Sequence, residues 1–488
     1  MPKQISSQAL CYNPLFASNS LSFLLFGVPG LIRTVSVFFV FTLVGLCLVS
    51  CSSYNAPSGN GGGQSGIKFR AFVSNPVHPS FSGGGFPALD IVDAATDNLS
   101  PFFVSLATSV PDAGMMALSP KRDRTLVFSP SNHALALIDN ASESAAASIG
   151  LPGATDSFLV WIDNTTAFVA VPGVSVNGQT SPGEVLRINI TNGSTTATIP
   201  IAGAHFLVSN PDGSKILVIS DTSNTVTVLD PNQITSGTPL TGVSGTFDKP
   251  VGAVFSPDGS TAYVLNCGAE CGGVSASVAV VDMNQPVPPV TIAVPAATTA
   301  LLNGNTLYVA GTPPPGIGVD CQSTLCGVLT LISGNAVQSS IPITDGYHDR
   351  IALGSNSQLF IGSHTCTGVA ASGSASGRGC LSVLADVCPT SNAAPGCVPP
   401  GTTPCAVSGN IAVLCNGALG DVTAIEPIPR QDTVYVCQGG KLVIYNTGTD
   451  APPPLSPQSQ QPQPLIPQTT PEQPNVVGQA VDVKVVDF

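Results

Sequence analysis

Residues 215–230 read KILVISDTSNTVTVLD. Two β-branched runs, ILVIS and TVTVLD, flank the polar stretch DTSN, and each run suits a strand rather than a helix. Asp, Ser and Asn between them supply turn chemistry, so the two strands pair antiparallel. Just upstream, FLVSNPDG (206–213) is a shorter apolar run closing on an Asp-Gly turn. The same pattern recurs along the chain: RAFVSN (70–75) with LDIVD (89–93), TLVFSPSNHALALID (125–139), and TAFVAV (166–171) with EVLRIN (184–189). FSPDGSTAYVLNCGAECGGVSASVAVVD (255–282) follows, then TLYVAG (306–311) with VLTLI (328–332), QLFIGS (358–363) with CLSVLAD (380–386), and TVYVCQGGKLVIYN (433–446). With residues 215–230 that makes eight copies, about fifty residues apart.

Most copies follow a short apolar strand, such as MMALSP (115–120) or RIALGSNS (350–357), and many precede a Thr/Ile strand such as TTATIPI (195–201). One unit is therefore four strands, lettered A to D. Only 9% of residues are charged, while 50 Gly and 44 Pro punctuate the chain, which suits short strands and turns rather than long helices. A four-stranded sheet at this period buries its faces only against its neighbours, so the copies stack radially as blades. The expected fold is all-β, a β-propeller of eight four-stranded blades, with seven as the alternative count. The repeats resemble the WD40-like YVTN-repeat β-propellers, a family of exported bacterial proteins, through PDG turns and motifs such as AYVLN…SVAVVD over roughly residues 70–450. The resemblance implies the fold and says little about activity. Several B–C loops are longer than that family's usual short ones.

The first copy has no A strand before Arg70, whereas GQAVDVKVVDF (478–488) alternates like a stray one. These residues are expected to close the ring in the first blade; a free tail is the alternative. Before them, residues 451–475 are rich in Pro and Gln and suit a linker, with a D strand conceivable at Leu465–Ile466.

At the other end, TVSVFFVFTLVGLCLVS (34–50) is an apolar run behind Arg33, in the manner of an export signal. Its end, LVSC (48–51), resembles the bacterial lipobox, which implies cleavage before Cys51 and lipid on its sulfur. An uncleaved membrane helix is the alternative, near the lower length limit for spanning. The apolar stretch 20–32 is unusual ahead of a signal core and points to a translation start nearer Arg33 than Met1. The chain is thus expected to divide into a signal region (1–50), a lipidated Gly/Ser tether (51–66), the propeller (67–450), the linker (451–475) and the ring-closing strand (476–488). Serine after Cys51 favours, by the same resemblance, the outer membrane, with the propeller in the periplasm or at the cell surface. From Cys51 onward 28 acidic residues face 13 basic ones, an imbalance that repels phosphate backbones and argues against nucleic-acid partners.

In an oxidising compartment the remaining cysteines read first as disulfides. Proximity pairs Cys267 with Cys271, Cys321 with Cys326, Cys366 with Cys380, Cys388 with Cys397 and Cys405 with Cys415, leaving Cys437 as a buried free thiol. CGAEC then staples an enlarged B–C loop; the spacing lacks the CxxC knuckle of metal sites, and no metal or cofactor is expected. The five histidines map to the B–C and D–A side of the blades: His78, His133, His205, His348 and His364. DGYHDR (345–350), with Asp349 and Arg350, is the densest polar cluster there. These seven residues form the candidate binding face, because loops on a rigid scaffold carry binding residues; simple solvated loops are the bland alternative.

Asp163, Asp421, Glu426 and Lys484 are the ionisable residues expected in or beside the channel-lining A strands. No paired carboxylates, Ser/His/Asp spacing or phosphate-cradling loop mark a catalytic centre there. The first reading is a non-catalytic binding module for an envelope protein or polysaccharide. A hydrolase or lactonase-like enzyme using the loop-face histidines and acids is the alternative.

Overall fold

The computed structural model describes residues 63–80, 83–176, 179–234, 241–285, 287–315, 326–355, 358–366, 380–385, 404–408, 411–414, 420–447 and 476–487. Apart from a 3-10 turn at Gly268–Cys271, their regular structure is all strand. The strands form eight antiparallel blades of a β-propeller. Blade 4 shows the pattern, with Phe206–Ser209 as strand A, Ile216–Ser220 as B, Thr225–Leu229 as C and Thr241–Gly242 as D. The A strands of blades 2, 3, 5, 6, 7 and 8 are Met116–Leu118, Ser157–Val160, Pro250–Phe255, Thr299–Asn303, Tyr347–Leu353 and Val422–Pro427. Each A strand touches that of the next blade around the whole ring, and the innermost wall is complete.

Alternation explains why B strands such as Ile216–Ser220 are buried throughout. Successive side chains leave a strand on opposite faces. Ile216 and Val218 pack with Trp161 and Phe168 of blade 3, while Leu217 and Ile219 pack with Phe255 and Val264 of blade 5. Every interface between adjacent blades holds one such apolar cluster, including that between blades 8 and 1. The outer D strands are half-solvated, as in Ser194–Pro200 of blade 3, where only Ala197 and Ile199 are buried. In the Asp212-Gly213 turn, Gly213 adopts φ 69°, and a side chain there would also strike Ile162. Its carbonyl accepts the indole N–H of Trp161 at 2.7 Å, joining blade 4 to blade 3.

Blade 1 takes its A strand from the far end of the chain. Asp482–Val485 pairs antiparallel with Arg70–Pro79, Val483 opposite Val73 and Val485 opposite Ala71. Both valines are fully buried. The clasp is also ionic. The Arg70 guanidinium, 1% exposed, donates to both Asp487 oxygens (2.6 and 3.0 Å), to Glu143 Oε1 (2.9 Å) and to the Asn140 carbonyl (2.6 Å). Burial works against the Arg70 charge, yet the Asp487 and Glu143 partners outweigh it and raise its pKa. The tether contributes earlier than the expected boundary near Ile67: the Ser65 N–H donates to Glu143 Oε2 at 2.7 Å.

Two blades depart from the four-strand plan. Blade 7 has five strands, Pro404–Ser408 adding outside Ile411–Leu414. Blade 8 shows three among the described residues, and the expected strand at Leu465–Ile466 lies outside them. The B–C loop of blade 3 forms its own hairpin, Val174–Val176 with Gln179–Ser181.

Candidate binding site at the channel mouth

The CGAEC loop follows strand B of blade 5, Thr261–Asn266, and a disulfide joins Cys267 to Cys271 across the 3-10 turn. Gly268 adopts φ 59°, and a Cβ there would lie 2.2 Å from the Ser275 backbone, so the turn needs glycine. The Asp248 carboxylate accepts the N–H groups of Val274 and Ser275, each at 2.7 Å, pinning the return of the loop. A second disulfide, Cys366–Cys380, lies buried in blade 7. Cys437 is a fully buried thiol in strand B of blade 8, its pKa pushed well above the usual range by burial. Cys405 lies on the Pro404–Ser408 strand, whereas Cys51, Cys321, Cys388, Cys397 and Cys415, which bear on the other expected pairings and on lipidation, lie outside the described residues.

The structure brings four of the seven candidate residues together and separates three. His78 belongs to blade 1, bonded to Asp90 Oδ1 at 2.8 Å and packed against Phe86 and Phe103. His133 occupies the tight B–C turn of blade 2 at φ 48°, exposed and apart from the others. His348 corrects the sequence expectation outright: it is no loop-face residue but fully buried. The register of strand A in blade 7 shifts between His348 and Arg350, a bulge that puts two residues opposite one. Tyr347, Asp349 and Arg350 therefore line the channel mouth, while His348 packs inward beside Gly327 and Thr344.

At that mouth a cavity of about 490 Å³ is lined by Asp156, His205, Tyr347, Asp349 and Arg350, over a floor of Leu207, Val251 and Val254. His205 stands between two carboxylates, Asp156 at 2.7 Å and Asp221 at 3.1 Å. Burial disfavours its charge, but the two carboxylates prevail and its pKa is raised; the same bond lowers the pKa of Asp156. His364, ending strand B of blade 7, lies 3.0 Å from Asp349 and 4.0 Å from Asp421 of blade 8. The Asp349 hydrogen bond, against burial, raises its pKa also. Arg350 meets Asp349 at 2.9 Å and donates to the Thr423 carbonyl at 2.6 Å. Deeper in the channel Lys484 lies 3.4 Å from Asp482, and the Glu426 carboxylate accepts the Val485 N–H at 3.1 Å. Burial raises the Glu426 pKa; Lys484 suffers the same burial, but Asp482 and Glu426 overcome it and raise its pKa.

Asp163 is a second correction. It is exposed in the A–B turn of blade 3 and accepts the N–H groups of Thr165 and Thr166, each at 2.8 Å, so it caps a turn instead of facing the channel. Conversely, sequence reasoning passed over Asp156, Asp221, Glu270 and Tyr347. A signal existed in the repeat: Asp156, His205 and Asp421 each occupy the position just before an A strand. Aligning the copies on that position would have gathered them. Among the described residues no group of three or more His, Cys, Asp or Glu side chains is arranged to hold a metal ion, and no helix is long and apolar enough to cross a membrane.

No protein-family model matches the chain, nor does any curated protein. Solved structures with similar folds include dihydro-heme d1 dehydrogenase NirN in complex with DHE, at 13% identity and TM-score 0.52, covering 78% of this chain and 71% of that one. Hydrazine synthase of Kuenenia stuttgartiensis aligns at 12% identity and TM-score 0.46, covering 69% of this chain and 96% of that one. The β-propeller domain of Cps50 (Swd1) from Myceliophteria thermophila aligns at 9% identity and TM-score 0.44, with coverages of 69% and 96%. At such identities the likeness is one of fold.

Proposed function

We propose that this chain is a lipid-anchored cell-envelope propeller of the YVTN-repeat type, and that it binds an envelope protein or polysaccharide at the B–C/D–A mouth of its channel. The observation that carries the reading is the concave cluster there. His205, held between two carboxylates, Asp349 and Arg350 present fixed donors and acceptors around a cavity of about 490 Å³, with His364 bonded to Asp349 behind them. Polar groups held in place above an apolar floor suit recognition of a polar ligand. Both ring nitrogens of His205 are engaged by carboxylates, and His364 is bonded to Asp349, so neither ring is left free to take a proton from a nucleophile; the same carboxylates raise both pKa values. That weighs for binding over hydrolysis. The NirN likeness, to a dehydrogenase, supports the fold and lends no chemistry at 13% identity.

The test is retention of envelope components on the full chain, purified in detergent, beside the double variant Arg350→Ala/His364→Ala. A component held by the wild type and lost from the variant is expected; equal retention would sink the reading. Anchoring is tested separately by Cys51→Ser, which should release the protein from membrane fractions and abolish lipid labelling. Continued membrane fractionation under alkaline wash would refute it.

A further inference from the structure

Between the stapled loop of blade 5 and the start of blade 7 lies a second cavity, about 410 Å³, lined by Glu270, Thr312, Pro313, Pro314 and Tyr347. The Cys267–Cys271 loop carries Glu270 into it, and among the described residues the carboxylate accepts one hydrogen bond, from the Thr312 N–H at 2.8 Å. Among the described residues no cation pairs with it. Burial, only partly offset by that bond, lifts the Glu270 pKa to about 7. The phenol of Tyr347 reports the same field: burial first, then Asp349, Glu270 and Asp221, push it up to about 12, against Arg350. A half-buried carboxylate with no counter-ion carries a desolvation cost, and a cation from outside would relieve it. The proline wall offers no N–H donors and suits methylene groups, while the tyrosine ring suits a neighbouring ammonium.

We propose that this pocket binds a protonated alkylamine, its ammonium between Glu270 and Tyr347 and its carbon chain along Pro313 and Pro314. The amine could be carried by a free diamine or by a lysine side chain of a protein, and the two are distinguished below. The site shares Tyr347 with the channel mouth but depends on neither His364 nor the Arg350 side chain. The groups facing the carboxylate are Thr312 from blade 6 and Tyr347 from blade 7, with Asp349, Asp221 and Arg350 beyond the phenol. Asp248 is engaged with the Val274 and Ser275 N–H groups.

The experiment is calorimetric titration of the full chain with cadaverine, with the capped peptide Gly-Lys-Gly and with pentanol as a neutral control. At pH 8 saturable binding of at least one amine and none of pentanol is expected. The affinity should fall up to tenfold per pH unit below about 7, because the carboxyl must lose its proton to pair. Glu270→Gln, which keeps an acceptor for Thr312, should weaken binding at least tenfold with a thermal midpoint at or above the wild type's; Arg350→Ala/His364→Ala should leave binding intact. Cadaverine alone binding assigns a free amine, and peptide binding assigns a lysine side chain. If neither amine saturates, or Glu270→Gln binds as tightly as the wild type, the proposal is overturned.

Discussion

His348 shows how far one residue can depart from what its neighbours in sequence suggest. DGYHDR is polar throughout, and composition places it at the surface. The bulge at Asp349 instead turns Asp349 and Arg350 to the channel and leaves His348 buried, with neither ring nitrogen in a well-formed hydrogen bond. A bulge has no reliable signature in a single sequence, because it depends on how two strands register and not on the residues of one. Burial is the main reason the His348 pKa falls to about 4. An unfolded histidine takes its proton near pH 6.5, so the neutral folded ring contributes stability that is full above that pH. It is lost as pH falls through the window down to about 4, by on the order of 3 kcal/mol. His348→Met should therefore match or exceed wild-type stability at pH 7 and hold it better at pH 5. Denaturant midpoints at the two pH values check this; an unchanged difference between them would show that His348 does not set the acid response.

At the scale of elements, strands were readable and the additions to them were not. The B and C strands were legible because burial on both faces demands unbroken apolar runs, as in Thr166–Val171. The fifth strand of blade 7, Pro404–Ser408, was hidden because Pro and Cys dominate its surroundings and its pairing with Ile411–Leu414 is local. The candidate site was legible only in part: DGYHDR marked Asp349 and Arg350, but Asp156, His205 and Asp421 occupy the same place in separate blades, so no stretch of sequence gathers them. The staples are elements of a different kind. In the chain-entropy picture, closing the four-residue separation of Cys267–Cys271 contributes about 2 kcal/mol, and the fourteen of Cys366–Cys380 about 3 kcal/mol. Cys366→Ala/Cys380→Ala should accordingly cost the fold more than Cys267→Ala/Cys271→Ala. Denaturant unfolding of both variants decides it, and the reverse order would mean that loop length is not what governs their contribution.

For the whole molecule the clasp of blade 1 governs stability. Asp487→Ala removes the carboxylate that meets the buried guanidinium at two points and should destabilise the fold by about 3 kcal/mol, Glu143 retaining part of the charge compensation. Deleting residues 476–488 should cost several kcal/mol more, since the ladder to Arg70–Pro79 and the buried Val483 and Val485 go with it. Shortening the 451–472 stretch while leaving enough chain to span the gap should change little. Thermal unfolding of the three proteins separates these outcomes, and an unmoved midpoint after loss of 476–488 would show that the ring closes by other means. The clasp also sets a timetable for assembly. Arg70 meets Asp487 across 417 positions of chain. During synthesis the inner edge of the first blade therefore waits, open, until nearly every other strand has been made. The entropy of so long a closure grows only logarithmically, but the encounter is slow and the waiting edge is exposed meanwhile. A chain cut between residues 447 and 482 would carry seven intact blade sequences and still fail to lock, so Asp482–Val485 acts as the catch of the ring.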